Sequence, residues 1–214
     1  MPTIYLLRHG QASFGTDDYD VLSDLGVHQA RVAGAELDRR ELRAPLVVSG
    51  TLQRQRDTAT LAAAQFDREL YAADPRWNEF DAHALVDPHL GGPGTSSELT
   101  SGEFQEVLDV AKRDWMAVPG EGWHAFADGA FAALSELAAA VPRGSDAVVA
   151  TSAGVIAAVV TRVLGAPAET AIALNRVMIN ASLTVVTASP RRLSVLVFND
   201  HAHLLAEPGL VTFR

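Results

Sequence analysis

Three short apolar runs in this chain each end in residues able to do chemistry. Ile4-Tyr5-Leu6-Leu7 meets Arg8-His9-Gly10-Gln11, Leu46-Val47-Val48 meets Ser49-Gly50 with Arg54 a turn further on, and Ala147-Val148-Val149-Ala150 meets Thr151-Ser152-Ala153-Gly154. Continuous apolar runs of this length are expected of strands buried on both faces. Ligands of open α/β sheets bind just beyond the carboxyl ends of such strands. If these three ends lie side by side, Arg8, His9, Arg54 and Ser152 share one pocket.

The chemistry such a pocket can run is phosphoryl transfer. A neutral imidazole is a competent nucleophile toward phosphorus, and a covalent intermediate divides one hard displacement into two easier ones. Guanidinium groups grip phosphate oxygens through forked, charge-assisted hydrogen bonds that persist in the transition state. The leaving oxygen needs an acid, and Glu79 is the candidate if the segment from Pro75 to Phe80 follows a strand edge into the pocket.

These residues need a scaffold, and the patterning predicts one. After the first strand, Leu25, Ala30, Ala33 and Leu37 recur in helical register behind Ser23, an N-cap type. A helix from Leu52 through Ala64 follows the second strand. The stretch from Asp74 to Gly122 is punctuated by Pro75, Pro88, Pro93, Pro119 and Gly91-Gly92-Pro93-Gly94, and reads as a loop-and-helix insert with one helix at about Gly102 to Met116. Trp123 to Ala140 is a helix stopped by Pro142-Arg143-Gly144, and the third strand leads into a helix ending near Leu164-Gly165. Ser182–Ala188 and Leu193–Phe198 read as a hairpin. The expected fold class is α/β: a mostly parallel mixed sheet, helices on both faces, and a C-terminal antiparallel hairpin. One domain over residues 1–214 is expected, with the insert at about 83–122.

Composition narrows the function further. The chain has no cysteine, which removes thiolate nucleophiles, disulfides and Cys-ligated metals. A formal net charge of −9 argues against nucleic acid or an anionic membrane as partner. A small phosphorylated substrate fits if a few arginines are focused in a pocket. The N-terminal residues show neither a basic leader nor a long apolar stretch, so a cytoplasmic location is expected. No cofactor is expected. His201-Ala202-His203 beside Asp200 has a metal-like look but lacks a clear third ligand, so no metal is predicted.

The ordered set of motifs resembles the histidine phosphatase superfamily, in its phosphoglycerate mutase-like branch. Leu6-Leu7-Arg8-His9-Gly10-Gln11 is similar to that family's Arg-His-Gly signature. Asp20-Val21-Leu22-Ser23-Asp24-Leu25-Gly26 with Gln29-Ala30 resembles the stretch that follows it, and Ser49-Gly50-Thr51-Leu52-Gln53-Arg54 with Thr58-Ala59 resembles the second motif. Trp77-Asn78-Glu79-Phe80, Trp123-His124-Ala125-Phe126, Val149 to Ile156, and Asn199 with His203-Leu204 extend the likeness along nearly the whole chain. The resemblance implies His9 as the phosphorylated nucleophile, Arg8 and Arg54 as phosphate ligands, and Glu79 as proton donor. Gln11 and Gly15 fall where it implies substrate contacts. It departs in placing Ser152 where the family has a second histidine, Gly15 where many members have an asparagine, and Asp57 where glutamine is common.

The function expected is hydrolysis of a small phosphomonoester through a phosphohistidine. Alternatives are a catalytically degenerate module that binds phosphate or a phosphorylated ligand and, with less support, an authentic phosphoglycerate mutase. Each residue also has a plainer role. Glu79 can be a surface carboxylate paired with Arg76, and Ser152 an N-cap that also helps bind an anion. His83, His89 and His124 are ordinary surface residues unless one supplies the missing cation.

Overall fold

The computed structural model describes residues 1–13, 20–120, 122–189 and 191–213. Among these residues the elements run β1 (Thr3–Arg8), α1 (Asp24–Arg39), β2 (Leu46–Ser49), α2 (Gln53–Ala63), β3 (Leu70–Ala73), α3 (Ala82–Val86), α4 (Ser101–Ala117), α5 (Trp123–Ala140), β4 (Ala147–Thr151), α6 (Ala153–Leu164), α7 (Thr170–Arg176), β5 (Leu183–Ser189) and β6 (Arg192–Asp200). The strands form one sheet in the order β3-β2-β4-β1-β5-β6. β1 and β2 both run parallel to β4, and β2 parallel to β3, while β5 and β6 are the antiparallel hairpin at the other side. The expected α/β architecture is what is observed.

Alternation along the strands divides the core in two. Ile4 and Leu6 of β1, with Val48 and Val149, face the layer of α5 and α6; Leu7, with Val47, Val148 and Ala150, faces α1 and α2. β4 is buried along its whole length because strands flank both its edges and helices cover both its faces. At roughly 25 cal/mol per Å² of apolar surface removed from water, these layers are the main drive toward the fold. No helix among the described residues is long and apolar enough to cross a membrane.

Three elements go beyond the sequence expectation, the first being α3, a five-residue helix capped by Asp81 in an insert expected to carry one helix. β3 is an exposed edge strand of four residues whose side chains show no alternation, so its sequence carries no strand signal. α7 is a seven-residue helix led into by Pro167, too short for helical periodicity to declare itself. Elsewhere the expected ends hold: Ser23 Oγ accepts a bond from the Gly26 amide to cap α1, and Gly165 ends α6 in the left-handed conformation, φ 65°.

Candidate active site

The sheet order β2-β4-β1 sets three strand ends side by side. The His9 amide donates to the Thr151 carbonyl at 2.8 Å and the Gly50 amide to the Ala150 carbonyl at 3.1 Å, so the register of the sheet runs straight into the loops that carry the side chains. His9 and Arg54 meet there: Arg54 Nε lies 3.3 Å from His9 Nε2. Both are buried, 6% and 8% exposed.

The state of His9 follows from its bonds. Nδ1 lies 2.7 Å from the Gly10 carbonyl. A carbonyl only accepts, so Nδ1 carries the ring proton and Nε2 is left with its lone pair, toward which Arg54 Nε–H donates. Burial, then the guanidinium charges of Arg54 and Arg8, push the imidazole well below the ordinary histidine range. At neutral pH His9 is an uncharged base with its lone pair aimed at an arginine.

Arg54 is itself held. Its Nη1 donates to Asp20 Oδ1 at 2.6 Å, while Asp20 Oδ2 accepts from the Gln53 amide at 2.8 Å at the start of α2. Thr58, one turn along, donates to the Arg54 carbonyl at 2.7 Å and accepts from the Gly10 amide at 3.1 Å. α2 and the loop after β1 are thus tied together through one hydroxyl.

Glu79 is brought to the same place by a network that the sequence does not announce. Trp77, buried against the core, offers its carbonyl to Thr151 Oγ1 at 2.6 Å and to Gln55 Nε2 at 2.9 Å. Asn78 exchanges bonds with Thr51 at 2.6 and 2.7 Å. These contacts fix the segment after β3 against the ends of β2 and β4. Glu79 Oε2 then accepts from the Gly154 amide at 2.9 Å, and Oε1 from Phe80 N at 3.2 Å. Arg76 pairs instead with Asp74 and Glu136, both at 2.7 Å, so the plainer expectation for Glu79 does not hold. Burial raises the Glu79 carboxyl above its ordinary value, against the Gly154 amide and the charges of Lys112 and Arg54, which pull it down.

Ser152 sits at the N-cap position of α6, but its side chain makes no capping bond. It is fully buried, and its Oγ accepts from Gln55 Nε2 at 2.8 Å. Arg8 points toward the C-terminal segment: Nη1 donates to the Met178 carbonyl and Nη2 to the Phe213 carbonyl at 3.0 Å. Gln11 turns its Oε1 to Ser23 Oγ at 3.0 Å, at the cap of α1. Gly15 lies outside the described residues. His83 bonds Ser96 Oγ at 2.8 Å and His89 pairs with Asp114 at 3.1 Å. His203 Nε2 meets the Ala181 carbonyl at 3.0 Å and His201 Nδ1 the Asn199 carbonyl at 2.8 Å.

The family model of the Histidine phosphatase superfamily (branch 1) matches residues 4–201. The chain belongs to this superfamily. Solved structures of similar fold include a mycobacterial glucosyl-3-phosphoglycerate phosphatase in complex with VO3, at 26% identity and TM-score 0.69 over 94% of this chain and 100% of that one. Bacillus stearothermophilus YhfR aligns at 21% identity and TM-score 0.71 over 95% and 99%. An Entamoeba histolytica phosphoserine phosphatase, solved as a mutant with phosphoserine, aligns at 17% and 0.69 over 95% and 100%.

For this histidine phosphatase the packing of the loop after β1 on the start of α1 is backbone on backbone. A Cβ on Gly26 would stand 2.1 Å from the Gln11 carbonyl oxygen, and one on Gly10 would stand 2.3 Å from that of Gly26. Alanine at position 26 gains up to ~1 kcal/mol of helix propensity, but the clash is with backbone that cannot turn aside. Overpacking costs ~1–3 kcal/mol and wins. Gly26→Ala should therefore lower the melting midpoint by several degrees, since each kcal/mol shifts a chain of this size by ~2–4 °C. A thermal melt checks this; an unchanged or raised midpoint contradicts the packing.

Proposed function

We propose that this chain hydrolyses a small phosphomonoester through a phosphohistidine on His9. The observation that carries the reading is the His9 geometry: a buried neutral imidazole, its proton held on Nδ1 by Gly10 and its Nε2 lone pair directed at a guanidinium. Membership of the superfamily supports the same reading, and a relative at 26% identity is a phosphatase solved with VO3.

In the first step Nε2 attacks phosphorus, the bond from phosphorus to the ester oxygen breaks, and the departing oxygen takes a proton from Glu79. In the second, Glu79 as carboxylate takes a proton from water, whose oxygen attacks phosphorus. The phosphorus–Nε2 bond breaks, inorganic phosphate leaves, and neutral His9 returns with the proton on Glu79. Arg54 turns from Nε2 to the phosphoryl oxygens as they arrive, and Arg8 adds positive field from beneath the loop. Ser152 stands at the place of the family's second histidine and contributes a neutral hydroxyl to this set. That favours release of phosphate over its retention, and so a phosphatase over a mutase. We read residues 1–214 as one domain, with residues 83–122 as the insert that shapes substrate choice.

Incubation with a panel of phosphomonoesters should release phosphate and leave an acid-labile phosphate on the peptide that contains His9. Neither release nor adduct across the panel would favour the degenerate binding module. The acid role has its own test. Proton transfer contributes ~10²–10⁴-fold, so in single-turnover experiments Glu79→Gln should slow formation of the His9 adduct by at least ~10² on an alkyl phosphate while sparing an ester with a leaving group as good as nitrophenolate. The fall in rate as pH rises through the Glu79 titration should vanish in that variant. Equal losses on both esters would remove Glu79 from the role of acid.

A further inference from the structure

Lys112, on α4, is 2% exposed. Lysine is almost never so deeply buried without a partner, because stripping water from an ammonium is costly. Its hydrogen bond is to a neutral acceptor, Asn175 Oδ1 on α7 at 2.7 Å, and its Nζ lies 5.1 Å from the centre of the Phe80 ring. Neither supplies the negative charge that a buried ammonium needs. Phe80 is the neighbour of Glu79, and Phe80, Lys112, Gly154 and Asn175 line one narrow crevice against the turn from β4 to α6.

We propose that Lys112 is a positioning residue for Glu79: its ammonium, delivered by the segment between β3 and α5, faces the carboxylate held on Gly154 and governs when that group carries its proton. This rests on the reading of Glu79 as the acid. Among the described residues, Glu79 accepts from the Gly154 and Phe80 amides and lies in the fields of Lys112 on α4 and Arg54 on α2. Around Lys112 itself stand Asn175 and, flanking it on α4 and α7, the ion pair of Asp109 with Arg176. Electrostatics runs in the same direction from both ends of the pair. Burial pushes the lysine down to about 8 while Glu79 pulls it up, and Lys112 in turn restrains the rise of Glu79. The segment that shapes substrate choice would in this way also set the pH at which the acid is ready.

The test is a carbon-13 titration of glutamate side-chain carboxyls, with the Glu79 resonance identified by its loss in Glu79→Gln, run below about pH 8 so that Lys112 keeps its proton. Lys112→Met removes the charge and keeps most of the volume. It should move the Glu79 midpoint upward by about one pH unit, the scale of a lost neighbouring charge. Lys112→Arg should leave the midpoint near wild type. If Lys112→Met does not fold, Lys112→Gln drops the charge while still donating to Asn175, and the same upward shift is expected. A midpoint unmoved in a folded, charge-free variant overturns the proposal. A midpoint that moves while the alkaline limb of kcat stays fixed leaves Lys112 in place and overturns the acid role of Glu79 instead.

Discussion

His9→Ala should abolish turnover, by at least ~10³-fold in kcat, while the protein stays folded. Loss of a covalent nucleophile removes the route and not merely a contact, so the remaining groups cannot divide the loss among them. The fold should survive because, among the described residues, the imidazole bonds its own neighbour's carbonyl and the Arg54 side chain, which keeps Asp20. Phosphate release and circular dichroism on the same preparation check both halves. Retention of more than a few per cent of the wild-type rate by a folded variant would mean that phosphorus is not transferred to His9.

Arg54→Ala is expected to lower kcat/KM by ~10²-fold or more, the scale of removing a charged group that stabilises the transition state. It should also move the acid side of the pH profile. His9 is held low by burial first and by Arg54 next, so without the guanidinium its titration rises. Activity that depends on neutral His9 is then lost at a higher pH as acid is added. Arg54→Lys should recover only part of the rate, because Nε faces His9 while Nη1 holds Asp20, and one ammonium cannot serve both directions. Equal kcat/KM for the lysine variant and wild type would show that the fork is not used.

The parts of this site that are legible in the sequence are those at the ends of buried strands. An apolar run that stops at Arg8-His9-Gly10 leaves little choice about where the imidazole emerges, and β4 flanked by β1 and β2 places Arg54 and Ser152 beside it. The supporting shell is not legible in the same way. Gln29 and Gln55 are fully buried amides on helices, and their residue type reads as surface until the fold closes over them. Gln29 Nε2 donates to the Leu210 carbonyl at 2.8 Å, and Gln55 joins Trp77 to Ser152; neither pairing can be inferred from spacing along the chain. The available signal is a glutamine on an otherwise small-residue helix face, as in Gln29-Ala30-Ala33 and Gln55-Thr58-Ala59. Lys112 escapes notice for the opposite reason: on a helix rich in charge, one more lysine looks solvated, and only the packing of α4 on Phe80 and α7 removes it from water.

The place of β1 in the sheet has a consequence for the order in which the protein is made. The strand that leads into His9 precedes both its partners by well over a hundred residues: Ile4 pairs with Ala147 on one edge and with Val186 on the other. Arg8 donates to the carbonyl of Phe213, 205 residues downstream. Contacts of such sequence separation form slowly, because the intervening loop must be closed before they return any free energy. Until β4 and β5 have been made, a nascent chain therefore carries His9 on an apolar strand with both edges open, an exposed ladder that other strands can join. The pocket closes only when residues near the end of the sequence fold back onto its beginning, so acquisition of activity reports completion of the whole sheet.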